Sequence, residues 1–233
     1  MLFRSCQLYH RDVMIFRDRL SATRQLLPLL EVHRRHPGVV IALPRGGVPM
    51  AAEIASHLDW PMHVLAVKKL PHPEKPEYAI GAVGLHDFVI DDPHADISKE
   101  YVDREVSRLQ GLLRRREASY HQPELNVDGK TVIIVDDGIA TGLTMRYAIS
   151  VMRTHKPRSI IIAVPVAASD AVRELHPLVD EFVVLHVPAS FGAVGEWYES
   201  FAEVTDEDVQ RCLAVDLQNG TQYQPVGRSV LGQ

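Results

Sequence analysis

The chain has 233 residues, is 46% hydrophobic and 24% charged, and carries a formal net charge of −5. That size fits one α/β domain with at most a small appendage, and the acidic balance argues against a nucleic-acid partner held by bulk electrostatics. Cys6 and Cys212 lie far apart without metal-ligand spacing, no apolar run approaches the roughly 18 residues of a membrane span, and Arg4, His10, Arg11 and Asp12 interrupt any signal-peptide core. A reducing, cytoplasmic compartment is expected.

Residues 1–13 are weakly patterned and are expected to form a peripheral extension. Asp18–His33 predicts a helix, with Leu20, Leu26, Leu27, Leu30 and Val32 as its apolar positions and a possible break at Pro28. Val39–Leu43 is a short, fully apolar run and predicts a buried strand. Pro44-Arg45-Gly46-Gly47 ends it, and Pro49 suits the first turn of a helix reaching about Leu58. Met62–Val67 predicts the next strand.

Lys68–Tyr78 carries three prolines and three lysines and predicts a long mobile loop. Ile80–Ile90 suits a hairpin or an edge pair. Val102, Val106, Leu109 and Leu113 repeat at helical spacing, with Ser98 as N-cap. Val132–Val135 predicts a third buried strand and Leu143–His155 a helix. Ser159–Val166 and Phe182–His186 predict the last two strands, with a helix near Ser169–Leu175 between them. Phe191, Trp197, Tyr198 and Phe201 then cluster before a short helix, where Thr205 and Asp208 form a capping box. Residues 216–233 are polar and predict a loose tail. Alternating strands and helices predict a doubly wound, mostly parallel sheet.

The richest stretch is Thr131–Met145. An apolar strand ends in two adjacent carboxylates, Asp136 and Asp137, at the strand end where ligands of parallel sheets sit. Gly138 and Gly142 let the backbone turn close to a ligand. Thr141 and Thr144 add hydroxyl donors, and the following helix offers free N–H groups and a positive dipole end. Phosphate belongs on the amides and threonines, whereas the carboxylates suit hydroxyl groups. A sugar phosphate satisfies both. An ordinary strand–turn–helix with an aspartate cap is the plainer alternative. Neither Gly-x-x-x-x-Gly-Lys-Ser/Thr, nor a Gly-x-Gly-x-x-Gly following a strand, nor Gly-x-Ser-x-Gly occurs.

Val132–Met145 resembles the phosphoribosyl-diphosphate signature of the type I phosphoribosyltransferases. Five further segments resemble the stand-alone bacterial members of that family. They are Phe16–Arg19, Ala42–Pro49, Lys68–Leu70, Pro76–Val83 and Ala193–Tyr198, in order over about residues 14–215. The resemblance implies a five-stranded, mostly parallel core over 14–188 and a small C-terminal hood over 189–215. It implies binding of 5-phosphoribosyl 1-diphosphate (PRPP) with Mg²⁺, transfer of the phosphoribosyl group to an acceptor, and release of diphosphate.

By that resemblance Asp136 and Asp137 hold the ribose hydroxyls and favour a cationic anomeric centre. Gly138, Ile139, Ala140, Thr141, Gly142, Leu143 and Thr144 hold the 5-phosphate. Arg45, Gly46 and Gly47 form a diphosphate loop, with a cis peptide placed at Pro44–Arg45. Of Lys68 and Lys69, one reaches the diphosphate and the other faces away, a split that strand alternation supports without choosing between them. Leu70–Ala79 corresponds to a closing loop whose Glu74, Lys75 and Glu77 are solvated charges or ligand contacts. Mg²⁺ is expected mainly through PRPP oxygens, with no dedicated protein cage. Phe191, Trp197 and Tyr198 line an acceptor pocket or simply pack the hood. Arg114-Arg115-Arg116 reads as a solvated helix face, and Tyr120 packs towards the sheet.

Ala140 departs from the purine-salvage branch, which has an aspartate there for proton transfer at the base. The acceptor therefore stays open. A non-catalytic PRPP-sensing regulator would lack the loop cations or the hood, and a phosphohydrolase or phosphate carrier would not need Arg45-Gly46-Gly47. The resemblance further implies a homodimer, while the acidic balance argues against nucleic acid and the lack of a long apolar run against a membrane as partner.

Overall fold

The computed structural model describes residues 6–8, 15–76, 78–90 and 97–218. Strands β1 (Cys6–Leu8), β2 (Gly38–Ala42), β3 (Met62–Val64), β7 (Thr131–Val135), β8 (Ser159–Val166) and β9 (Glu181–His186) form one sheet in the order β1-β9-β8-β7-β2-β3. All its pairings are parallel. The expected five-strand core is β9-β8-β7-β2-β3, and Cys6–Leu8 adds a sixth strand beside β9.

Helices α1 (Arg19–Leu30), α2 (Gly47–Leu58), α4 (Leu143–Thr154), α5 (Ser169–Leu175) and α6 (Asp206–Gln218) surround this sheet. Strand alternation divides its side chains between two cores. Val40, Ala42, Ile133, Val135, Ile161 and Ala163 join α1, α2 and α6 on one face. Val39, Ile41, Val132, Ile134, Ile160 and Ile162 join α4 and α5 on the other. Burial on both faces explains why these strands read as unbroken apolar runs rather than alternating ones.

The chain winds outward from β2 to β3 in one direction and from β7 through β8 to β9 in the other. The adjacent strands β2 and β7 therefore mark the topological switch point, where such sheets place ligands beyond their carboxyl ends.

Several local boundaries differ from the sequence expectation. Helix α1 runs through Pro28 without ending, its flanking Leu26 and Leu30 fully buried, and a 3-10 turn follows over Glu31–His33. The Met62–Val67 strand stops at Val64. The Lys68–Tyr78 loop is shorter than predicted: β4 (Lys68–Pro71) pairs antiparallel with β5 (Ala79–Val83), because Leu70 is apolar enough to bury opposite Gly81. A hairpin joins β5 to β6 (Phe88–Ile90), and α3 (Lys99–Tyr120) packs Val102, Val106, Leu109 and Leu113 against this small sheet. Ser98 caps α3, and Thr205 and Asp208 form the reciprocal cap of α6. Among the described residues no helix is long and apolar enough to cross a membrane. Glu77 and residues 219–233 of the predicted tail lie outside the described residues.

Candidate active site

Two loops meet at the switch point. The first follows β2 and contains Pro44, Arg45 and Gly46, with a cis Pro44–Arg45 peptide at the position implied by the resemblance. The second follows β7 and runs from Asp136 to Gly142. Gly46 lies against Asp137: a Cβ built there would fall 1.9 Å from Asp137 Oδ2. Only glycine permits this approach.

The second loop is pinned where it leaves the carboxylates. Ile139 N–H donates to Val166 O (3.0 Å), and Ala168 N–H donates to Ile139 O (2.8 Å). Gly142 adopts φ +78° as it enters α4. The first-turn amides of α4 have no partners within the helix, an arrangement that suits an anion. Ala140 and Thr141 are exposed at its rim, with Thr144 half-buried beside them and Gly138, Ile139, Gly142 and Leu143 buried beneath.

Both carboxylates are partly buried. Asp137 N–H donates to Asp136 Oδ1 (2.9 Å). Burial, followed by the charge of Asp137, pushes the Asp136 carboxyl well above the ordinary range, while Arg19 and Lys69 oppose it only in part. Burial also raises Asp137, against the opposing effect of Arg19. The guanidinium of Arg19 favours the ionised form of Asp137, so Asp136 is the member that takes a proton first.

Arg19 makes this contact as a fork onto one oxygen. Its Nε and Nη2 donate to Asp137 Oδ2 at 2.9 and 2.7 Å, and its Nη1 donates to Ala202 O at 2.7 Å. Its guanidinium carbon stands 3.9 Å from the centre of the Phe201 ring. Arg19 lies in the Phe16–Arg19 segment, to which the resemblance assigns no ligand role. One physical signal marks it: Asp18 caps α1, which puts a cation in the first turn, where the helix dipole disfavours it.

The other cations cluster nearby. Arg45 pairs with Glu203. Arg116 pairs with Asp206 (3.1 Å), whereas Arg114 and Arg115 are exposed. The solvated-face expectation thus holds for two of these three arginines; the third is held by the N-terminus of α6. Lys68 is lowered from its ordinary value by burial and then by Arg116 and Arg45. Its neighbour Lys69 is exposed and acts electrostatically on Asp136. Glu74 and Lys75 are exposed on the loop between β4 and β5.

The aromatic residues divide into two groups. Tyr198 is buried in the core between Phe16 and Phe201, with ring-centre distances of 5.6 and 5.0 Å, and its hydroxyl donates to Asp137 O at 2.5 Å. It braces the carboxylate loop rather than lining an open wall. Trp197 lies 5.1 Å from the His186 ring and 6.2 Å from Phe191, with both Trp197 and Phe191 half-buried.

Residues 29–195, more than half of the chain, match the phosphoribosyl transferase domain family. Two Mycobacterium tuberculosis proteins, each named "Putative phosphoribosyl transferase", are 39% identical over 203 residues, covering 84% of this chain. The chain spans only 45% of the length of each. The crystal structure of TT1426 from Thermus thermophilus is similar at 41% identity with a TM-score of 0.73, over 86% of this chain and 98% of that one.

Proposed function

The chain belongs to the phosphoribosyl transferase domain family, and on that premise we propose that it uses PRPP with Mg²⁺, transfers the phosphoribosyl group to an acceptor nucleophile and releases diphosphate. The observation that carries this reading is the contact of Gly46 with Asp137, which joins a glycine-flanked cationic loop to a carboxylate pair and a helix N-terminus. A ligand with phosphate at one end, hydroxyls in the middle and diphosphate at the other matches these three elements.

The 5-phosphate belongs on Gly138–Thr144, where amides and the Thr141 and Thr144 hydroxyls supply donors. The ribose hydroxyls donate to Asp136 and Asp137. Diphosphate belongs on Gly46, Gly47 and Arg45, exchanging with Glu203 as the partner of Arg45. Lys68 is assigned to the diphosphate because its field is shared with Arg45 and Arg116.

In the transfer, the bond between the anomeric carbon and diphosphate breaks, and its electron pair leaves with diphosphate. An acceptor lone pair, typically on nitrogen, forms the new bond. The carboxylates favour the positive charge that develops at the anomeric carbon, and the fold's contribution is positioning and electrostatics.

The donor set fits Mg²⁺. Among the described residues no group of three or more His, Cys, Asp or Glu side chains converges to hold a metal. Asp136 and Asp137 supply only hard oxygen atoms, and a hard ion that takes one or two carboxylates together with substrate phosphates suits such a site. When bound, Mg²⁺ neutralises charge on the leaving diphosphate. Phe191 and Trp197 are proposed as walls of the acceptor site within a hood over 189–215, with Tyr198 as its brace.

Diphosphate release measured against a panel of nucleobases and amines tests the reading. Release that requires both PRPP and one acceptor class supports it. PRPP binding without release under any acceptor would instead favour a regulator.

A further inference from the structure

Arg19 is the point where the carboxylate loop meets the C-terminal segment. Two of the three hydrogen bonds that Arg19 donates go to Asp137 Oδ2. The remaining face of Arg19 is fixed from the other side by Ala202 O and the Phe201 ring. The Arg19 and Asp137 side chains are each only 13% exposed, so the pair is held by its surroundings rather than by solvent. A fork of this kind fixes orientation as well as charge.

We propose that Arg19 is a positioning residue for ribose recognition: its fork on Oδ2 fixes the orientation in which the Asp137 carboxylate meets the ribose hydroxyls, while Phe201 and Ala202 hold Arg19 in place. The inference rests on the PRPP reading of the site. It gives the C-terminal segment a second task besides covering an acceptor, because Phe201 acts through Arg19 on the donor substrate.

Arg19 touches no part of the ligand in this arrangement, so its loss should affect ribose-containing ligands selectively. The test is calorimetric titration of the full chain with PRPP, ribose 5-phosphate and inorganic diphosphate, each with Mg²⁺. Arg19→Gln is expected to weaken PRPP and ribose 5-phosphate about tenfold or more, and diphosphate by less than about threefold. Arg19→Lys, which keeps the charge without the fork, should fall between wild type and Arg19→Gln. Phe201→Leu should show the same ligand selectivity at smaller size. The double variant should bind no worse than Arg19→Gln alone, because the two changes act on one contact.

Unchanged ribose-ligand affinity in Arg19→Gln overturns the inference. So does an equal loss for diphosphate, which marks general damage, or a Phe201→Leu effect that adds in full. Should Arg19→Gln fail to fold, Arg19→Lys and Phe201→Leu carry the same comparison with the same overturning outcomes. If the wild-type chain binds no PRPP, the proposed function fails and the inference fails with it.

Discussion

Gly46 and Asp137 lie in loops after different strands, 91 positions apart, yet the α-carbon of one is packed onto the carboxylate of the other, leaving 1.9 Å for any Cβ at Gly46. Asp137 cannot yield easily, because Arg19 holds its side chain and Tyr198 its carbonyl. Gly46→Ala should therefore overfill the site, costing about 1–3 kcal/mol of stability and most of the PRPP affinity. Gly111→Ala is the control: a Cβ there meets nothing within 4 Å, and it lies inside α3. That variant should be neutral or gain up to about 1 kcal/mol. Denaturant unfolding of the two side by side reads the contrast.

Asp136→Asn should stabilise the ligand-free protein while weakening PRPP. The folded protein raises this carboxyl above its ordinary value of 3.8, so it binds the proton more tightly than the unfolded chain does. The associated stability is complete below that value and is lost as pH rises through the raised one. Asparagine does not titrate, so it escapes that loss. The melting temperature at pH 7 should rise by about 2–4 °C, and its decline between pH 4 and 7 should flatten. PRPP affinity should fall about tenfold. A lower melting temperature at pH 7 would contradict the account.

Much of this arrangement is legible in the residues. Asp136 and Asp137 stand out because carboxylates rarely end an apolar strand without purpose, and the glycines and threonines after them indicate a cradle. Strands β2, β7, β8 and β9 are legible because burial on both faces gives unbroken apolar runs. Arg19 is not legible in the same way: its partner is 118 positions away, and a lone arginine beside a helix cap looks like any solvated charge. Tyr198 is misleading for a related reason. An aromatic in a hood suggests a ligand wall, but only the fold reveals that its hydroxyl is already used on Asp137 O. Lys68–Pro71 is hidden by Pro71 and by Pro73 and Pro76 after it, which suggest a loop although Leu70 buries and pairs as a strand.

Tyr198→Phe isolates the brace. The ring stays packed between Phe16 and Phe201, and only the bond to Asp137 O is lost. Stability should fall by about 1 kcal/mol, read by urea unfolding. PRPP affinity should fall less than in Arg19→Gln, because the backbone rather than the carboxylate loses its partner.

The acceptor wall is tested apart from the donor site. Phe191→Ala and Trp197→Ala should raise the acceptor KM several-fold while leaving the Kd for PRPP near its wild-type value. An effect confined to PRPP would move these residues from the acceptor side to the donor side.

The central claim is that the carboxylate pair, the cradle and the Arg45 loop bind one ligand with three chemical parts. Titration of the wild-type chain with PRPP, ribose 5-phosphate and diphosphate, each with Mg²⁺, tests it most directly when repeated with Asp137→Ala. PRPP should bind at least about tenfold more tightly than either fragment, as expected when contacts at both ends are joined in one molecule, and Asp137→Ala should erase that advantage. Equal affinity for PRPP and ribose 5-phosphate, or an Asp137→Ala protein that binds PRPP as the wild type does, would contradict the account.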